Sequence, residues 1–162
     1  MIYLKIIEVL KAEAPMLSKR VVKDLLERGE TEYHRKFSEE VIYERVLDVY
    51  STLGYWLDRG RPKKEVQKHF NEMGKKRFEE GIPLHEVVMF LMLIKRHLWL
   101  YLLEKHFFET PYELLKSLEM NNRIVLFFDR AILAATIAYE EELIKYVKTS
   151  SEGLLNKFFK KK

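Results

Sequence analysis

Between Glu65 and His106 the chain reads EVQKHFNEMGKKRFEEGIPLHEVVMFLMLIKRHLWLYLLEKH. The tripeptide Gly81-Ile82-Pro83 in its middle constrains the fold most. Before it, Val66, Phe70, Met73 and Phe78 recur at helical spacing, with Lys64, Lys68 and Lys75 on the opposite face. Gly81 supplies a helix stop and Pro83 a helix start. After it, Leu84 to Phe108 is apolar nearly all round except at Lys95-Arg96-His97, the pattern of a helix at the centre of a bundle. So short a connection leaves the two helices as packed neighbours, crossing or antiparallel.

The rest of the chain carries the same period. Met1 to Ala14 reads as a helix that Pro15 breaks or restarts. Met16 to Arg28 follows, with Leu17, Val21 and Leu25 inward and Gly29 as its stop. Glu30 to Lys36 is polar, with one helical turn as its most regular form. Ser38 is an N-cap for a helix to Arg59 that turns Ile42, Val46, Val49, Tyr50, Leu53 and Leu57 inward. Gly54 inside it costs about 1 kcal/mol relative to Ala, which points to close approach by a neighbouring helix. Thr110-Pro111-Tyr112-Glu113 has the form of a capping box, opening a helix that runs to about Lys148. Thr149-Ser150-Ser151 and Gly153 loosen the chain there. These signs predict an all-α single-domain helical bundle over 1–149 with a long C-terminal helix, globin-like in one of its possible arrangements. Residues 150–162 read as a basic amphipathic tail or linker remnant.

That last long helix is apolar on two faces. One faces the core; the other needs cover. A homodimer supplies it economically, with Ile124, Phe127, Phe128, Ala131, Ala135 and Ala138 as interface candidates. The alternative is a wrap by the first or second helix of the same chain.

Bulk composition excludes several classes. The 162 residues contain no cysteine, so disulfides, thiol catalysis and cysteine-ligated metals are out. A net charge of +4, from 29 basic and 25 acidic residues, is too mild and too scattered for a dedicated nucleic-acid binder. The N-terminus lacks a signal-peptide pattern and no apolar run is long enough to span a membrane. A cytoplasmic protein is expected.

No constellation with catalytic chemistry emerges, and a non-enzyme is expected. Glu30 and His34, and Glu65 and His69, are four residues apart rather than the three of a di-iron site. His-Glu-x-x-His, a glycine-rich phosphate loop and a Gly-x-Ser-x-Gly elbow are all missing from the sequence. His34 and His106, near predicted helix ends, are expected to face solvent. The basic interruption of the central helix stands out. Consecutive helical residues point about 100° apart, so one of Lys95, Arg96 and His97 must face inward. Either it pairs with a carboxylate such as Glu86, Glu104 or Asp129, or these residues with Tyr101 and Arg130 hold an anionic ligand in an internal pocket. No metal or cofactor is required; a haem or tetrapyrrole on His97 or His69 is the alternative. The Leu154 to Lys162 tail offers a third reading, a peripheral membrane adaptor.

The segment His69-Phe70-x-x-Met73-Gly74-x-x-Arg77-Phe78-x-x-Gly81-Ile82-Pro83-Leu84-x-Glu86-Val87-Val88, continued by Leu91, Leu93-x-Lys95-Arg96 and Leu98-Trp99, resembles the RsbRD-type N-terminal domain. Leu53-Gly54-x-Trp56-Leu57 fits the same pattern, and the similarity extends from about Met16 to Val147. This is the helical sensor-like domain at the front of RsbT co-antagonist proteins and some bacterial histidine kinases. The resemblance implies a signalling input or interaction domain that senses a small ligand or docks a signalling partner, usually joined by its last helix to an output domain. It carries no established ligand residues with it.

Overall fold

A computed structural model describes residues 2–59, 63–105 and 110–159. Among these, five α-helices and one 3-10 segment make up an all-α bundle with no strand: α1 (Ile2–Glu27), the 3-10 segment (Gly29–Lys36), α2 (Glu39–Arg59), α3 (Lys63–Glu79), α4 (Leu84–Glu104) and α5 (Pro111–Phe159).

The helix starts follow their predicted chemistry. Ser38 Oγ accepts the Val41 N–H at 3.3 Å, capping α2. At the start of α5 the capping box closes in both directions. Thr110 Oγ1 accepts from the Glu113 N–H, and Glu113 Oε2 accepts from the Thr110 N–H, each at 3.2 Å. Gly81 takes a positive φ of 71°, open to glycine without strain. There the Ile82 N–H returns to the Arg77 carbonyl at 3.0 Å, ending α3.

Pro15 does not split the first helix. α1 is continuous through it, because Leu10, Ala14, Leu17 and Val21 on both sides are buried in one core. That shared burial offsets the loss of one backbone hydrogen bond, whose carbonyl sits on an exposed residue. α5 likewise continues past Thr149. Thr149 and Ser151 bond back to the carbonyls of Lys145 and Val147, keeping their hydroxyls within the helix. The 49 residues of α5 make a rod of roughly 74 Å.

The packing order differs from the one the Gly81-Pro83 corner suggests. α3 and α4 barely touch; the extensive contact is between α3 and α5. Gly74 explains it. A Cβ placed there would lie 2.2 Å from the Ala135 carbonyl oxygen, so the two backbones meet directly. The close approach expected at Gly54 belongs to Gly74 instead. At Gly54 a Cβ would find only Leu10 Cβ, at 3.9 Å. α4 touches every other element, as expected of a central helix, but it is not enclosed all round: Met92, Leu100 and Leu103 remain exposed on it.

The core between these layers is aromatic. Phe127 packs against Trp56, Phe70 and Phe128 with ring centroids 5.3–5.6 Å apart. Two tyrosine hydroxyls, one buried and one partly buried, pin the layers. Tyr50 donates to the Ile94 carbonyl at 2.9 Å, joining α2 to α4, and Tyr139 donates to the Ile82 carbonyl at 2.8 Å, joining α5 to the α3–α4 corner.

Ile124, Phe127, Phe128, Ala131, Ala135 and Ala138, expected at a dimer surface, are all buried within the single chain. α3 reaches this face by way of Gly74, so a second copy cannot meet these residues in this fold. The apolar side chains that α5 leaves in solvent are others, among them Leu126, Leu133, Ile137, Ile144 and Val147.

Gly74→Ala is expected to destabilise the protein by about 3 kcal/mol or more, because the added methyl meets backbone that cannot move without opening α3 from α5. Gly54→Ala, with room for its methyl and a better helix propensity, should stabilise by up to about 1 kcal/mol. Urea unfolding of both variants checks the contrast.

Candidate functional site

The five residues expected to share an anion site are dispersed by the turn of α4. Lys95 faces α5, its Nζ 3.9 Å from Asp129. His97 faces α1, where Nε2 lies 2.7 Å from Asp24 Oδ2. Arg96 is exposed and Arg130 on α5 is half-buried. Tyr101 is buried beneath Arg20, whose guanidinium carbon is 5.8 Å from the ring centroid. None of the five lines any of the three clefts described below. The alternative reading, ion pairing along helix seams, describes them better.

That seam joins α1 to α4. Asp24 also accepts from Arg28 Nε at 2.7 Å. Burial opposes its charge, but the hydrogen bonds from Arg28 and His97 prevail and hold its pKa below the ordinary carboxylate value. Arg20 pairs with Glu104 at 2.7 Å further along. With its Nε2 on Asp24, His97 serves the fold as a bridging group. His69 Nε2 stands 3.0 Å from Asp48 Oδ2, but the geometry does not make a hydrogen bond. His106 lies outside the described residues. Among the described residues no cluster of three or more potential metal ligands occurs.

His34 and Glu86 form a buried pair that the sequence pattern does not bring together. Both are almost wholly enclosed, contrary to the exposed position expected for His34. Thr31 leaves helical geometry at φ −126°, and its buried hydroxyl reaches back to the Leu25 carbonyl. This folds the 3-10 segment inward and lays the His34 ring on Phe90, 5.7 Å between centroids and 9° from parallel. Glu86 accepts three hydrogen bonds from the segment: the Tyr33 N–H at 2.9 Å, the His34 N–H at 3.2 Å and His34 Nδ1 at 2.7 Å. One carboxylate in the first turn of α4 thus fastens the whole connection between α1 and α2.

Burial lowers the His34 pKa from its ordinary 6.5, outweighing the opposing pull of Glu86. The unfolded chain then takes up a proton at a pH where the folded chain does not. Stability is full above the unfolded value and is lost as pH falls toward the folded one. The urea midpoint should therefore drop between about pH 7.5 and about pH 5.5. His34→Asn, whose amide can donate to Glu86 in place of Nδ1, should flatten the profile over that interval.

Nearby, Arg45 and Arg77 share Glu80, at 2.7 and 2.5 Å. Burial first, and then Arg77, lower the pKa of Arg45, whose Nη1 has no hydrogen-bond partner. They border a cleft of about 410 Å³, but Glu44, Asp48 and Glu72 line it as well, so it is not an anion site by charge. A second cleft of about 640 Å³ between α1 and α2 is flanked by Lys19, Lys23, Glu27, Glu39 and Glu40 and is likewise of mixed charge.

A third cleft, of about 430 Å³, combines apolar residues with Tyr50, Ser51 and Tyr55 and carries one charge of each sign, Lys11 and Asp58. It also lies between α1 and α2, over Leu10, Ala14, Leu47 and Gly54. Pro15 and Ser51 form walls, and the Lys11–Asp58 pair spans 3.5 Å at its edge. Two residues costly to helices, Pro15 and Gly54, converge here. Proline in a helix interior costs about 3 kcal/mol and glycine about 1 kcal/mol relative to alanine. Packing requires neither: Pro15 is exposed, and Gly54 has room for a methyl group.

Residues 16–147 match the family of the RsbT co-antagonist protein rsbRD N-terminal domain. The chain belongs to this family. The matched region runs from the α1 residue after Pro15 to near the end of the exposed apolar row on α5, and includes the His34–Glu86 pair and the Gly74 crossing. No curated protein and no solved structure matches the chain significantly. Membership in the rsbRD N-terminal family makes this a signalling-related helical domain.

Proposed function

We propose that this rsbRD N-terminal domain is a non-enzymatic signalling input domain that acts as a homodimer, with α5 as the element that passes the signal on. The observation that supports this most is the apolar row left in solvent on α5. Leu126, Leu133, Ile137, Ile144 and Val147, with Arg130 and Glu140, recur at three- and four-residue intervals. That is the seam of a helix that packs against another helix. The row runs alongside the part of α5 that α3 covers, where Phe78 packs on Tyr139 and Tyr146. Leu133 is 60% exposed, an unusual setting for a leucine in mid-helix beside other apolar groups.

α4 contributes to the same surface. Met92 stands one turn before Lys95, and Leu133 one turn after its partner Asp129. Two copies placed face to face would bury both helices of each in a four-helix arrangement, with α5 of each running on beside the other. A change in the packing of α1 to α4 would alter the angle at which the two α5 rods leave the bundle. The signal needs only to bind the two packings with different affinity.

Leu133→Glu combined with Ile137→Lys tests this. Both positions are exposed, so the fold should be disturbed by less than about 1 kcal/mol. Light scattering after gel filtration should find the wild-type chain at twice its 19.6 kDa mass and the variant at the single-chain mass, with unchanged helicity. A wild-type monomer at high micromolar concentration removes the dimer reading.

A further inference from the structure

The α1–α2 cleft combines a steric and a chemical feature. Ala14 of α1 and Gly54 of α2 both line it, and neither carries a side chain larger than a methyl to fill it. Leu10 and Leu47 make its base apolar. Pro15 has no N–H, so the carbonyl of Lys11, four residues earlier in α1, loses the helical donor it would otherwise have. Lys11, Ala14 and Pro15 all line the cleft, so the face of α1 that carries this acceptor borders it, and Ser51 of α2 lines it as well. A volume of about 430 Å³ falls within the range of small-molecule sites.

We propose that this cleft binds a small, flat, largely apolar molecule through one N–H or O–H donor directed at the Lys11 carbonyl. A slot between two helix surfaces favours a planar shape. The lining sets an apolar body, and the one backbone acceptor released by Pro15 sets the donor. The Lys11–Asp58 pair at the edge is neutral as a unit and selects for neither an anion nor a cation. The proposal goes beyond the dimeric signalling reading and does not depend on it, since it concerns binding and not oligomeric state.

Indole, a planar apolar molecule with one N–H, is the probe, and 1-methylindole is the same shape without the donor. Titrations of the full chain followed by NMR should give a Kd of roughly 1 mM or tighter for indole, within what so small a ligand can achieve. Binding of 1-methylindole should be about tenfold weaker. In Pro15→Ala the new N–H occupies the Lys11 carbonyl, so the preference for indole should disappear and the two Kd values converge. Gly54→Leu should fill the slot and abolish binding of both. The proposal is overturned if wild-type protein does not bind indole, if Pro15→Ala keeps the donor preference, or if folded Gly54→Leu binds as before. Should Gly54→Leu fail to fold, the comparison of probes in Pro15→Ala decides alone.

Discussion

The contact of the Gly74 backbone with the Ala135 carbonyl holds the rest of the architecture in place. A Cβ at 74 would stand 2.2 Å from that oxygen, so no other residue allows α3 and α5 to come this close. Once they do, the alanines at 131, 134, 135 and 138 form a shallow face that α3 can occupy, and Phe70 reaches Phe127 and the aromatic core behind it. The same contact explains why the Gly81-Pro83 corner does not produce a helical hairpin. α3 spends its apolar face on α5, leaving α4 to be held by α1, by α5 and by the Tyr50 hydroxyl.

Much of this organisation was legible in the sequence because it is set by local chemistry. Ser38, Thr110 with Glu113, and Gly81 each fix a helix end through bonds within a few residues, and each does so as the pattern predicts. The apolar periodicity of α2 gave its buried face correctly, from Ile42 to Leu57. What failed was long-range. Gly54 and Gly74 look alike in sequence, as single glycines inside helices, and only the identity of the opposing helix separates a crossing point from a cleft. Pro15 looked like a break because its local cost is large, while the burial that offsets it is collected from residues on both sides.

The candidate site was legible in its materials but not in its grouping. Lys95, Arg96 and His97 were correctly seen as incompatible with a uniformly apolar helix, and Lys95 does meet Asp129, one of the carboxylates that the pairing alternative named. Their separation onto three sides of α4 follows from the helical turn itself. Asp24, the partner of His97, lies 73 residues away and carries no local sign of that role. His34 is the clearest miss. It sits in a polar stretch with little helical period, and its burial depends on the kink at Thr31 and on the reach of Glu86 from another helix. The one sequence hint was Glu86 itself, a carboxylate flanked by apolar residues at the start of a helix.

These features divide the molecule by cost. At Gly74 a costly residue is justified by packing, and the His34–Glu86 pair is justified by the three hydrogen bonds that fasten the 3-10 segment. At Pro15 and Gly54 no such return exists within the folded chain, although both destabilise the helices they occupy. Sequences that fold well tend to be consistent from local propensity to tertiary packing, and departures without a structural return concentrate where a protein does its work. The α1–α2 cleft is where two such departures coincide. An occupant wedged between α1 and α2 would press on Tyr50, whose hydroxyl holds the Ile94 carbonyl in the middle of α4, one residue before the Lys95–Asp129 link to α5. A strain of this kind needs no long chain of intermediates, because one buried side chain separates the cleft from the helix that borders the exposed apolar row.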